Sequence, residues 1–154
     1  MGNELLFREA EESDLAFLVM AERLCFPPDA WTESLLRAHM DSPVGKTFLL
    51  EKGGEPVAYL LASVILPEGE VLRIATLPRH RQGGYAKALL ARFLETVPLC
   101  FLEVRESNTP ARRLYEALGF IKTGTRAHYY QNPTEDACLY KKDNDTHNRL
   151  WKLL

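Results

Sequence analysis

Apolar and polar residues follow two different periods along this chain, and the two periods predict where strands and helices lie. Short apolar or alternating runs predict strands at residues 5–9, 47–51, 56–66, 70–77, 99–104, 120–130 and 137–141. Apolar residues at helical spacing predict helices that start near residues 15, 32, 85 and 109. The order β-α-α-β-β-β-α-β-α-β-β predicts a mixed α/β (α+β) domain, in which one sheet carries helices on both faces.

Prolines and glycines mark the ends of several predicted elements. Pro27-Pro28 places a loop after the first helix, because proline lacks the N–H group that helices and sheets need. Thr109 is expected to cap the fourth helix, with Pro110 in the first turn and Gly119 just after the end. The apolar run at 99–104 predicts a strand that is buried on both faces.

Composition and charge fit one globular domain and exclude several classes of protein. The chain has 154 residues, of which 46% are hydrophobic, and a net charge of −2. This charge argues against a general nucleic-acid or membrane-surface binder. No apolar run approaches the ~20 residues that cross a bilayer. We expect one domain over residues 1–142 and a short tail at 143–154, whose apolar residues dock on the body or on another copy of the chain.

Cysteine and histidine positions give no sign of a metal site. The three cysteines are far apart in sequence, and no pair of histidines has the spacing of zinc ligands. The N-terminus lacks the basic start and apolar core of a signal peptide. We therefore expect no bound metal and reduced cysteines in the cytoplasm.

The segment from Arg81 to Ala86 carries the strongest sign of a ligand site. Gly83 and Gly84 stand between a predicted strand and a predicted helix, so backbone N–H groups at the helix start would face an anion. A pyrophosphate fits, with Arg79 and His80 adding positive charge beside it. The P-loop and dinucleotide-binding patterns do not match these glycines. The alternative is a plain strand-to-helix turn.

Three motifs resemble the GNAT acetyltransferases. Arg81-x-x-Gly84-x-Ala86 matches that family's signature, Gln/Arg-x-x-Gly-x-Gly/Ala. Two further blocks resemble the RimI-type protein N-terminal acetyltransferases: Leu102-Glu103-Val104-Arg105-Glu106-Ser107-Asn108 and Ala111-x-x-Leu114-Tyr115-Glu116-x-Leu118-Gly119-Phe120. The resemblance spans residues 5 to 141 in order, and it departs at Leu77, where that family frequently has Asp.

The resemblance implies the GNAT fold, a mostly antiparallel twisted sheet, and acetyl-CoA as the cosubstrate. The turn implied to hold its pyrophosphate consists of Arg81, Gln82, Gly83, Gly84, Tyr85 and Ala86. Strand groups of Ile74 and Thr76 would face the pantetheine arm and the acetyl carbonyl. Asn108 would contact the coenzyme; its alternative role is to cap the fourth helix, and the two roles are compatible. The aromatic residues implied to line the acceptor's entrance are Phe26, Tyr129 and Tyr130.

Two residues are implied to carry acetyl transfer, which needs a neutral amine and a proton for the leaving thiolate. Glu103, a carboxylate within an apolar strand, would be the general base, directly or through water. Tyr115 would donate a proton to the coenzyme A sulfur. The alternatives are that Glu103 pairs with a buried arginine and that Tyr115 is simply part of its helix's apolar stripe.

The implied acceptor is the α-amine of a protein N-terminus, by family analogy that of a ribosomal protein. An α-amine with a pKa of about 7.7–8 is partly neutral at pH 7, whereas a lysine at about 10.4 is almost fully protonated. Two alternatives stay open: a GNAT enzyme acting on lysine or a small-molecule amine, and a non-catalytic acyl-CoA-binding module. We expect a monomer or weak homodimer with no direct nucleic-acid or membrane partner.

Overall fold

The structure is a computed structural model that describes residues 4–143. Within that range the elements follow in the predicted order. The strands are β1 (Leu5–Glu9), β2 (Gly45–Lys52), β3 (Glu55–Ile65), β4 (Glu68–Thr76), β5 (Leu99–Arg105), β6 (Ile121–Tyr130) and β7 (Glu135–Asp143). The helices are α1 (Leu15–Cys25), α2 (Glu33–Asp41), α3 (Tyr85–Leu94) and α4 (Thr109–Ala117).

All seven strands form one sheet in the order β1-β2-β3-β4-β5-β7-β6. Neighbouring strands are antiparallel except β4 and β5, which are parallel. The β4–β5 pairing runs only from Glu68 and Leu99 to Val71 and Leu102. Beyond those residues the two strands separate, and the resulting gap at the centre of the sheet positions the candidate site.

Helices pack on both faces of the sheet, as predicted. On one face, α3 and α4 contribute buried side chains to the larger core: Leu89, Leu90, Phe93, Leu94 and Tyr115. On the other face, α1 and α2 bury Leu18 and Leu36 against side chains of β2 and β3. Removal of this apolar surface from water stabilises the sheet between the two helical layers. β6 stays exposed along most of its length, so the sheet is open near its β6 edge.

Two local predictions were wrong. The cap of α4 is Asn108 rather than Thr109, because the Asn108 side chain accepts a 3.2 Å hydrogen bond from the backbone N–H of Ala111. β5 is fully buried on one face only: Cys100, Leu102 and Val104 are buried, while the residues between them are partly exposed. The end of α4 is as predicted, since Gly119 has a φ of +94° just after the last turn.

Three further expectations concern membrane-spanning segments, metal ligands and the C-terminal tail. Within residues 4–143 no helix is long and apolar enough to cross a membrane. The same residues contain no group of three His, Cys, Asp or Glu side chains arranged to hold a metal ion. The apolar cluster predicted at 150–154 lies outside the described residues.

Candidate active site

The gap between β4 and β5 opens into a cavity of about 440 Å³. Seven of the predicted site residues line it: Phe26, Ile74, Glu103, Asn108, Tyr115, Tyr129 and Tyr130. They come from β4, β5, α4 with its cap Asn108, β6 and the loop after α1, so the fold brings together residues that are up to about a hundred positions apart. The predicted turn at 81–86 lies outside this lining, at the start of α3.

Strand β4 directs backbone groups into the gap. The N–H of Leu77 donates to the carbonyl of Val57 at 2.8 Å, and the β3–β4 register pairs Thr76 with Ala58. Because hydrogen-bonded and non-hydrogen-bonded pairs alternate along antiparallel strands, the peptide groups of Ile74 and Thr76 point away from β3. They therefore face the gap.

The turn before α3 leaves backbone N–H groups at the start of the helix without helical partners. Gln82 and Gly84 have φ values of +71° and +77°, which turn successive N–H groups toward one side. The first four N–H groups of α3 have no partner within the helix. A Cβ on Gly83 would lie 2.5 Å from the Tyr85 ring, so a larger residue there would have to displace that ring. The resemblance assigns the pyrophosphate of acetyl-CoA to this turn, and its conformation is compatible with an anion there.

Arg81 connects this turn to β4 through a side-chain hydrogen bond. Its Nε donates to the carbonyl of Thr76 at 3.3 Å. That carbonyl is also 3.7 Å from the Cys25 sulfur. The Thr76 carbonyl oxygen is thus occupied by contacts within the protein. The Thr76 N–H is the group of this residue that is directed at the gap.

Glu103 lies on β5 at the wall of the cavity, where residues of β6 surround it. Arg126 Nη2 is 3.0 Å from Glu103 Oε1, and the Glu103 side chain is 23% exposed. The Tyr129 hydroxyl also lies against the carboxylate, and the charge of Glu103 is the main reason that the pKa of Tyr129 is raised. Glu103 does have an arginine partner, but Arg126 is 56% exposed. Glu103 therefore stays in contact with water and with the cavity.

Tyr115 lies on α4. It lines the cavity and also belongs to the larger apolar core. Its ring packs against Phe120 and Tyr140, with centroids 5.8 and 6.3 Å away. Burial, followed by the nearby Tyr130 and Cys100, raises the pKa of Tyr115 above its ordinary value. The phenol therefore keeps its proton over the whole physiological pH range.

Aromatic rings border the entrance to the cavity. Tyr129 and Tyr130 stack edge to face with centroids 5.0 Å apart. Burial and the charge of Glu103 raise the pKa of Tyr130 to about 12. Phe26 lies on the opposite side, under the Arg73 guanidinium at 3.9 Å. A peptide between these walls would meet apolar ring surface and phenolic hydroxyl groups.

Five charged residues in or beside the cavity were not predicted as site residues: Glu22, Asp29, Glu70, Arg73 and Arg105. Glu22 was recognisable only as a carboxylate at helical spacing on an apolar stripe with Leu15 and Leu18. Burial and the charge of Glu103 raise the pKa of Glu70. Glu70 lines both this cavity and a second one of about 410 Å³, which Glu103 also lines.

The separation of β4 and β5, with the turn at 81–86 at the start of α3, fits the fold and the acetyl-CoA cosubstrate that the resemblance implies. Residues 16–120 match the model of the acetyltransferase (GNAT) family, which is more than half of the chain. The protein belongs to this family and is an acetyl-CoA-dependent N-acetyltransferase. The predictions of family, fold, cosubstrate and enzyme class are thereby confirmed.

Relatives of similar length support the assignment. The chain is 30% identical over 139 residues to the ribosomal protein bS18-alanine N-acetyltransferase of Escherichia coli K12, covering 87% of this chain and 90% of that one. It is 29% identical to an N-alpha-acetyltransferase of Sulfurisphaera tokodaii, covering 90% and 92%. The crystal structure of the Escherichia coli S18-alanine enzyme matches with a TM-score of 0.83 at 28% identity, covering 90% and 92%.

Proposed function

We propose that this protein transfers the acetyl group of acetyl-CoA to the α-amine of a protein N-terminus. The observation that carries the proposal is that Glu103 and Tyr115 line one cavity whose entrance is bordered by Phe26, Tyr129 and Tyr130. The names of the Escherichia coli and Sulfurisphaera tokodaii relatives specify alanine and α-amine acetylation, respectively. They support an N-terminal acceptor.

Glu103 is proposed as the general base. Acetyl transfer forms a C–N bond and breaks a C–S bond, so the attacking amine must lose a proton. The Glu103 carboxylate can accept that proton directly or through one water molecule, because its side chain reaches both the cavity and solvent. Arg126 and Tyr129 would fix the orientation of the carboxylate.

Tyr115 is proposed as the general acid. Acetyl-CoA supplies the thioester, and the sulfur that leaves must be protonated. The raised pKa of Tyr115 ensures that its phenol carries a proton to give. Since the phenol and the sulfur would share the same buried surroundings, burial penalises both anions and has little effect on the transfer between them.

The α-amine is an acceptor that this machinery can deprotonate with little help. At pH 7 an α-amine of pKa about 7.7–8 is roughly a tenth to a fifth neutral, whereas a lysine is neutral in only a few of ~10,000 molecules. A single carboxylate that is partly in contact with water suits the α-amine. We further propose a ribosomal-protein N-terminus as the acceptor, by analogy with the Escherichia coli relative.

A cytoplasmic enzyme is consistent with these acceptors. Cys25, Cys100 and Cys138 are all free thiols, as expected in a reducing compartment. The α-amine of a newly made protein is available there together with acetyl-CoA.

Initial rates with matched acceptors test the proposal. One peptide begins with a free alanine and lacks lysine, a second has a blocked N-terminus and one internal lysine, and a third acceptor is a small polyamine. We expect acetylation of the first and rates at least tenfold lower for the others. Equal or faster reaction of the blocked peptide or the polyamine would assign the enzyme to side-chain or small-molecule amines.

Variants then test the two roles. Glu103→Gln and Tyr115→Phe should each lower kcat by about 10²–10⁴-fold while the affinity for acetyl-CoA stays within twofold of the wild-type value. Wild-type kcat in either variant would remove that residue from the mechanism. A protein that binds acetyl-CoA and acetylates none of the acceptors would be a binding module.

A further inference from the structure

Arg105, the last residue of β5, contacts the turn between β6 and β7. Its Nη2 donates to the carbonyl of Gln131 at 2.7 Å, and its Nη1 donates to that of Pro133 at 2.9 Å. The guanidinium also lies 4.6 Å from the centre of the Tyr130 ring. Arg105 thus holds the turn at 131–134 and the aromatic residue that precedes it in one place.

The same guanidinium reaches across the cavity mouth to the loop between α1 and α2. Arg105 Nη2 is 3.5 Å from Asp29 Oδ2 in that loop, which spans residues 26–32. The loop carries Phe26 on one side of the entrance, and the turn follows Tyr130 on the other. The Arg105–Asp29 pair therefore links the two segments that border the acceptor's path.

A second arginine, Arg73, holds the loop at 26–32 from its buried side. Arg73 donates from Nη2 to the backbone carbonyl of Asp29 and pairs with Glu22 at 3.1 Å. Glu22 is completely buried, and the Arg73 side chain is only 17% exposed. The Asp29 side chain is 49% exposed, so its pair with Arg105 can open more easily than the pair beneath it.

We propose that Arg105 is a positioning residue for acetyl transfer. Its ion pair with Asp29 sets the distance between the loop at 26–32 and the turn at 131–134, and the acceptor peptide binds between these two segments. The inference rests on the proposed function, because it takes the bound ligand to be a peptide. Arg105 acts through Tyr130 and the loop, which orient the peptide's first residue toward Glu103. When the pair opens, the two segments lose their fixed spacing and the peptide is held less firmly.

Asp29→Asn isolates this link. The change removes the charge from the Asp29 side chain and leaves its backbone carbonyl with Arg73 and the turn with Arg105. We expect the KM for peptide to rise about 2–5-fold, with kcat and the KM for acetyl-CoA within twofold of wild type. Arg105→Ala should raise the peptide KM further, and the two changes should be less than additive because they break the same pair.

Amide hydrogen exchange gives a second readout that needs no activity. Loss of the pair should speed exchange in Asp29→Asn both in peptides covering 26–32 and in peptides covering 127–136, since each segment restrains the other. Glu95→Gln is the matched control, because it removes a carboxylate charge from an exposed pair with Arg92 at 3.6 Å, at the C-terminal end of α3. It should leave both segments and the peptide KM unchanged.

The outcomes are distinct. Faster exchange in both segments, with the selective rise in peptide KM, supports the positioning role. Unchanged exchange in 127–136, or a peptide KM equal to that of wild type, overturns it. If wild-type protein acetylates no peptide, the proposed function fails, and exchange in the two segments then decides by itself whether Arg105 and Asp29 couple them.

Discussion

The hydroxyl group of Tyr59 donates a 2.5 Å hydrogen bond to Glu22, and both residues are completely buried. The same carboxylate accepts from the backbone N–H of Trp31 at 2.8 Å and pairs with Arg73. A buried carboxylate is tolerated only when such partners replace water. This network joins α1, β3, β4 and the loop at 26–32, and so it anchors one wall of the active site.

Changes in this network should lower stability by amounts that depend on what they remove. Tyr59→Phe removes one donor and keeps the ring, so we expect a loss of about 1–3 kcal/mol in the free energy of unfolding. Glu22→Gln breaks the pair with Arg73 and should cost about 3–5 kcal/mol. Urea unfolding at pH 7 measures both. Glu95→Gln, at an exposed site, should change stability by less than ~0.5 kcal/mol, and a similarly small change in Tyr59→Phe would contradict the importance of the network.

The pH dependence of the reaction should show the acceptor titrating and Tyr115 not titrating. Because the pKa of Tyr115 is raised above its ordinary value, its phenol stays protonated up to at least about pH 10. The rate at low peptide concentration should rise as the α-amine loses its proton near pH ~8 and then stay level. Steady-state kinetics from pH 6 to 10 test this. A fall in wild-type rate between pH 8 and 9.5 would argue against a protonated Tyr115 as the acid.

The turn before α3 should be sensitive to any side chain at Gly84. An L-residue at its φ of +77° costs about 1–2 kcal/mol, and a Cβ would enter the open space beside the turn, where we propose that the pyrophosphate binds. We expect Gly84→Ala to weaken acetyl-CoA binding at least about tenfold by calorimetry. Gly54→Ala is the control, because Gly54 has a φ of +86°, also has open space around it, and lies in the β2–β3 hairpin. Equal affinity in the two variants would show that the turn does not hold the coenzyme.

Tyr129 should matter for the peptide and not for the coenzyme. Its hydroxyl group lies against Glu103, and the residue is 47% exposed at the entrance. Tyr129→Phe should raise the peptide KM about 3–10-fold and leave the acetyl-CoA KM within twofold. If a double change of Tyr129 and Tyr130 to alanine left peptide acetylation intact, these rings would not form the acceptor's wall.

Much of the fold could be predicted from the sequence, because the spacing of apolar residues and the positions of glycine determine most of its elements. The periodicity of apolar residues located the seven strands and the four α-helices of the described residues, and the positive φ values of Gly84 and Gly119 lie where glycine stood beside a helix end. The motif around Glu103 and Tyr115 identified two residues that line one cavity. Errors arose where neighbouring residues offered the same chemistry, as Asn108 and Thr109 do for a helix cap.

The arginine contacts at the entrance could not be predicted, because they join distant parts of the chain. Glu22 meets Tyr59 and Arg73, which are 37 and 51 positions away. Arg105 meets Asp29 from the other side of the gap between β4 and β5. Nothing in the spacing of these residues reveals that two arginines converge on one loop, since that depends on how the sheet splits.

The position of the acetyl group on one peptide tests the central claim most directly. The peptide begins with a free alanine and contains one internal lysine, and tandem mass spectrometry after limited reaction with acetyl-CoA locates the modification. We predict acetylation of the α-amine, with loss of that product in Glu103→Gln. Acetylation of the lysine instead, or equal modification of both amines, would contradict the assignment of this enzyme to protein N-termini.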